Sequence, residues 1–259
     1  MANLPDMLWI EWRKAWRSRM PLWTGLGSLA LPLGLAFLVF VSRNQALSQK
    51  LGLVGAKANL AAFAAVDWPT YLSAYGQLIA AAGFILFVLV VSWVFGRELV
   101  DGTAKDWLAV PVPRAVMLLA KFAVAAAWAL GLAVVIFVSG LAIGALLQLP
   151  AASAGAFERG TAVAAVAAGL TIVLALPFAF FASVGRGYLL PIGLAMLTLL
   201  VTNLAVVLGR GEYWPWTVAG LYAQGQVALG PVSFALVFIA GALGVAATLW
   251  WWQRADQNR

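Results

Sequence analysis

The chain of 259 residues contains no cysteine and no histidine, and only 10% of it is charged. The first absence removes disulfides and thiol nucleophiles, the second removes the usual base of nucleophilic catalysis, and together they remove ordinary zinc sites. There is no G-x-x-x-x-G-K-[ST] loop, so nothing here cradles nucleotide phosphates in that manner. There is no HExxH and no pair of carboxylates within an apolar run, which leaves an intramembrane hydrolase without base or metal. No enzymatic activity and no cofactor or metal are expected of this chain, and any work it does must draw energy from another subunit.

Apolar residues fill the space. They make up 64% of the chain, and the mean hydropathy is +0.96, whereas soluble domains carry roughly a quarter charged residues. Too few polar groups remain to cover a soluble surface, so lipid must be part of the solvent and one membrane domain spanning 1–259 is expected. The formal net charge is +7, but the basic residues are scattered at the ends of apolar runs and form no stripe suited to nucleic acid. The N-terminus is too charged, and its first apolar run too long, for a cleavable signal, so residue 1 is expected to begin the mature protein within an uncleaved segment.

Runs of about 20 apolar residues, the length that crosses the hydrocarbon core, fall at 22–42, 72–95, 122–148, 161–182, 188–208 and 229–252. Six transmembrane helices follow, or five if "SVGRGY" (183–188) is no turn. None of the six runs holds Asp, Glu, Lys or Arg, which argues against ion-driven transport, whose coupling groups commonly sit near the midplane. Eleven basic residues (Arg13, Lys14, Arg17, Arg19, Arg97, Lys105, Arg114, Lys121, Arg186, Arg254, Arg259) flank one side. Five (Arg43, Lys50, Lys57, Arg159, Arg210) flank the other. The positive-inside rule therefore puts both termini in the cytoplasm. The aromatics of "DWPTY" (67–71), "EYWPW" (212–216) and Trp250, Trp251 and Trp252 read as interface anchors.

Before the first run, Trp9, Trp12, Trp16 and Met20 make one helical stripe, with Lys14, Arg17 and Ser18 largely opposite. This predicts a helix lying in the membrane interface, with Pro21 restarting the chain into the first span. The glycines 140 and 144 form a G-x-x-x-G pattern suited to close helix contact.

Between the second and third runs, "VDGTAKDWLAVPVPR" reads as a short cytoplasmic helix. Gly102 supplies a turn, Thr103 and Asp106 form a T-x-x-D box, and Pro111 stops it. Lys105, Trp107 and Leu108 face outward. So short a helix is unstable alone in water and requires a docking surface, for which Trp107 is an anchor.

The spacing Glu98, Gly102–Thr103, Leu108, Pro111, Arg114, Lys121 resembles the cytoplasmic loop of ABC-2 type permeases, the membrane subunits of bacterial ATP-binding cassette exporters. The stretch "SVGRGYLLPIGLAMLTLLVTNLAVVLGRGEYWPWTVAGLYA" is similar to the bacitracin-resistance and lantibiotic-immunity branch, most specifically in G-R-G-Y-x-x-P and E-Y-x-P-W. The resemblance implies an all-α protein of six transmembrane helices with an N-terminal interfacial helix (Trp9, Trp12, Trp16, Arg17) and a cytoplasmic coupling helix. It implies a dimer of identical or homologous permease chains in the bacterial cytoplasmic (inner) membrane, in contact with lipid, each resting on a cytoplasmic ABC ATPase that carries the ATP and magnesium. Glu98, Gly102, Thr103, Lys105, Asp106, Trp107, Leu108, Pro111 and Arg114 would form the ATPase-coupling loop. The segment "YWPWTVAGLYAQGQ" would form short helices in the outer leaflet. The implied cargo is hydrophobic or amphiphilic. The alternative is a scaffold or force-transmitting factor in the maturation of an extracytoplasmic metalloenzyme.

Overall fold

A computed structural model describes residues 3–44, 67–104, 106, 111–150, 153–225 and 229–254. The described residues form helices and connecting turns. α1 (Leu4–Arg17) and α2 (Met20–Arg43) are separated by two residues. α3 runs from Trp68 to Val100, α4 from Arg114 to Leu146, α5 from Ala154 to Ala175 and α6 from Phe178 to Val184. α7 (Leu189–Val207), the short α8 (Pro215–Gln224) and α9 (Pro231–Arg254) complete the order. Among the described residues, six helical stretches, with α5 and α6 together forming one of them, are long and apolar enough to cross a membrane. The protein is a multi-pass membrane protein. The "SVGRGY" segment forms the turn between α6 and α7, with Arg186 at φ 50, so the count among the described residues is six and not five.

Local chemistry sets the ends. The Asp67 carboxylate caps α3 by accepting from the Thr70 N–H at 3.0 Å, and hydrogen bonding from Thr70 holds its pKa below the usual aspartate value. Pro69 and Pro215 sit in the first turns of α3 and α8, where the missing N–H costs nothing. Ser18 closes α1 by donating its hydroxyl to the Ala15 carbonyl at 2.7 Å. Pro177 divides α5 from α6, because its ring cannot continue the hydrogen-bond ladder. A π-helical turn, Ile79–Gly83, inserts an extra residue into α3.

Helix association within lipid gains little from hydrophobicity and depends on close packing, so small residues mark the contacts. The glycines at 140 and 144 turn toward α3 and not toward another chain. A Cβ on Gly144 would lie 2.7 Å from Trp68 Cη2, and one on Gly140 would run into the Tyr75 ring. Tyr71 donates its hydroxyl to the Gly140 carbonyl at 3.1 Å. On α9, Gly241 admits Val173 and Gly244 admits Pro177, so α9 nests against the kink.

α8 lies inside the bundle beside α3, α5 and α9. Its Ala223 carbonyl accepts from Ser73 at 2.8 Å, and the Trp216 indole N–H donates to the Leu174 carbonyl at 3.2 Å. A 3-10 turn, Gly211–Tyr213, precedes it, and Gly225 at φ 66 terminates it. The segment after the fifth span thus forms one short α-helix among the described residues, where short helices were expected. α7 is the least covered span, with only 11% of its most apolar stretch buried.

Candidate functional site

The helices reach further than the apolar runs do. α3 continues past position 95 through Arg97 and Glu98, and α4 begins at Arg114, so it already carries Lys121 before position 122. The apolar runs themselves hold no charge, but the helices that contain them carry Arg97, Glu98, Arg114 and Lys121 just beyond their ends. A composition window excludes charges that the fold keeps inside a helix by neutralising them with partners from elsewhere.

Those partners come from α1. Lys121 is 1% exposed, Glu11 4% and Glu98 6%. The Lys121 ammonium donates to Glu98 Oε1 at 2.7 Å, to Glu11 Oε2 at 3.1 Å and to the Val94 carbonyl at 2.9 Å. That matches the three donors of an ammonium. Lys14 joins from the half-exposed rim, at 2.8 Å from Glu11 Oε1 and 3.4 Å from Glu98 Oε1. Two carboxylates and two ammoniums make a cluster with no net charge, which is what allows charged groups to be buried. Burial alone would raise the Glu11 pKa, but Lys121 and then Lys14 outweigh it and hold the carboxyl below its usual value.

The amphipathic α1 explains how an acid gets there. Met7, Glu11 and Ala15, four apart, form its buried face against α4, while Trp9, Trp12 and Trp16 are exposed. Trp12 and Trp16 stack with centroids 6.2 Å apart, and Arg13 lies 5.0 Å over the Trp9 ring. Arg17 is exposed beside them. Lys14, on the side of α1 away from the tryptophans, reaches Glu98 on the bundle.

The cluster ties together the two helices that flank the loop, and other contacts fix their ends. Arg97 Nε stands 3.4 Å from Asp101 Oδ2, its Nη1 donates to the Lys14 carbonyl at 3.4 Å, and its guanidinium lies 4.9 Å over Trp93. Arg114 donates to the Trp252 carbonyl at 2.8 Å, fixing the start of α4 to the end of α9. Trp252 in turn donates its indole N–H to Ser183 Oγ at 2.9 Å, near the turn before α7. A Cβ on Gly96 would sit 3.2 Å from Tyr188 Cε1, so the α6–α7 turn also packs on this end. The buried Trp252 is a core residue and not the interface anchor expected, whereas Trp250 is exposed with Arg254 at 5.2 Å over its ring.

Of the residues expected in a coupling loop, Glu98 is drawn into the cluster and Arg114 onto α9. Gly102 makes the turn at φ 72, and Thr103, Asp106 and Pro111 are exposed. Lys105, Trp107 and Leu108 lie outside the described residues. Glu11 was not legible as a site residue, and Lys121 was read as a flanking charge and as the end of the loop spacing, not as the centre of an ionic cluster. The signal for Glu11 was its place on the α1 face away from the tryptophans. Among the described residues no group of three Asp, Glu, His or Cys could hold a metal.

Residues 7–202 match the family model described as ABC-2 family transporter protein. The chain belongs to the ABC-2 transporter family. It is similar to the bacitracin transport permease protein BCRB of Bacillus licheniformis, at 23% identity over 185 residues, covering 69% of this chain and 88% of that one. The family implies an ABC ATPase as partner.

Proposed function

We propose that this chain is the permease subunit of a bacterial exporter, in which a separate cytoplasmic ATPase seats on residues 101–113 and drives movement of a hydrophobic or amphiphilic cargo across or out of the cytoplasmic membrane. The observation that carries this reading is the ionic junction of Lys121, Glu98 and Glu11. It ties the two helices that enter and leave the loop to α1, while Arg114 ties the same loop to α9.

A push on the loop would therefore be shared among four helices instead of being absorbed by one flexible connection. Gly102, Thr103, Lys105, Asp106, Trp107, Leu108 and Pro111 would form the contact surface. Glu98 and Arg114 would be positioning residues that hold its two ends. ATP and magnesium would sit on the partner. A bacitracin permease as relative favours a peptide amphiphile among the possible cargoes. Two permease chains and two ATPases would make the working unit, with both termini and the loop in the cytoplasm.

Native mass spectrometry of the complex, extracted in a lipid-preserving detergent, tests this reading. It should find two chains of permease size with two copies of a P-loop ATPase. A lone chain without any ATPase would contradict it.

A further inference from the structure

An open apolar groove runs between α1, the start of α2 and the outer side of α4. One part, of about 300 Å³, is lined by Trp12, Trp16, Gly25, Trp128, Gly131 and Val135. It continues past Trp12 and Ala127 into a second part of about 580 Å³ beside Leu8, Trp9 and Val124. Its walls are almost wholly apolar. Its floor is open because of two glycines: a Cβ built on Gly25 or on Gly131 meets no heavy atom within 4 Å.

The guanidinium of Arg13 lies 5.0 Å over the ring of Trp9, which lines the groove. Arg17, at the end of α1, and Arg19, in the link to α2, are exposed as well. Among the described residues no carboxylate lies within ion-pair distance of any of them, since the acid of α1 that could have served, Glu11, is turned inward to Lys121. An apolar slot of ligand-like volume on a helix that carries exposed guanidiniums without carboxylate partners matches a molecule with a negative head and a hydrocarbon tail.

We propose that this groove holds one anionic phospholipid. An acyl chain lies between the Trp12–Trp16 stack and Gly131, and the phosphate is bound by Arg13, Arg17 and Arg19. The lipid packs α1 against α4 from the outside, on the flank opposite the ionic junction, and so completes the seat of the interfacial helix. A second copy of this chain is a poorer occupant. The three arginines would have to meet acids on the partner, and the α1 face of this chain offers only basic residues there.

The test is native mass spectrometry of the full-length chain, with whatever subunits copurify, titrated with phosphatidylglycerol or with phosphatidylcholine of the same acyl chains. One phosphatidylglycerol per chain should be retained in preference to phosphatidylcholine. Gly131→Leu, whose Cβ meets no heavy atom within 4 Å and whose side chain would occupy the groove, should abolish that retention. Replacing Arg13, Arg17 and Arg19 with Gln should weaken it by about fivefold per arginine, on the order of a hundredfold together. The arginine variant changes only exposed side chains, so it decides the matter even if Gly131→Leu fails to fold. Equal retention of the two lipids would overturn the proposal, as would unchanged retention in the arginine variant. Separation of a permease dimer by Gly131→Leu, with lipid retention unaltered, would assign the groove to a second copy and overturn it as well.

Discussion

Lys121 Nζ stands 2.7 Å from Glu98 Oε1, across the mouth of the loop that separates their helices. Both are buried, and Glu11 of α1 closes the junction from 110 positions away in the chain. Three helices converge on one ammonium, so its removal leaves two buried carboxylates to share the single rim ammonium of Lys14.

Lys121→Met alone should therefore destabilise the protein by about 3–5 kcal/mol, the cost of breaking a buried ion pair from one side. Adding Glu11→Gln and Glu98→Gln to it should restore much of that loss, because the uncompensated charges are gone. Thermal unfolding in detergent, followed by size-exclusion chromatography, reads both variants. A triple variant no more stable than the single one would show that packing, not charge, dominates at this position.

Acid should release α1. Because the Glu11 carboxyl is held below the ordinary glutamate value of about 4.3, its stabilising contribution is complete above that value. It is lost as pH falls through the lowered folded-state value. A cross-link between cysteines placed on α1 and α4 should form equally well from neutral pH down to the ordinary glutamate range and drop below it. In Glu11→Gln the acid step should vanish.

Tyr75 is buried, and its hydroxyl is the one buried side-chain polar atom without a hydrogen-bond partner among the described residues. Leaving such a group unsatisfied costs about 1–3 kcal/mol. Tyr75→Phe should thus keep or raise stability, by about 1 kcal/mol, while Tyr71→Phe, which gives up the bond to the Gly140 carbonyl, should lower it. Melting temperatures of the two single variants, measured side by side, separate these directions.

The spans were legible in the sequence because hydropathy is local: about 20 apolar residues in a row announce a crossing without reference to the rest of the chain. The turn at 183–188 was harder, since its signal was only Gly185, Arg186 and Gly187 between two apolar runs. The ionic junction was not legible. Lys121 looked like a flanking charge that sets orientation, and nothing near it in sequence reveals that carboxylates from two other helices neutralise it. Trp252 misled for a similar reason, because an aromatic at a span's end reads as an interface anchor unless its partner, Ser183, is known. For the loop, Gly102 takes the turn conformation read from it, whereas Trp107 and Leu108 lie outside the described residues.

Orientation is open to direct labelling. With the basic residues of the α1 and loop side in the cytoplasm, a cysteine at Asn44 should react with an impermeant thiol reagent in intact cells and one at Asp101 should be protected. The reverse pattern would invert the topology.

The proposal that residues 101–113 meet a separate ATPase is tested most directly by placing a photo-reactive benzoyl side chain at Trp107 and irradiating living cells. The adduct would then be identified by mass spectrometry. A cross-link to a P-loop ATPase, lost when Leu108→Ala is added or when Lys121→Met loosens the loop, is the predicted result. Adducts only to lipid or to this chain itself, with transport intact, would contradict it.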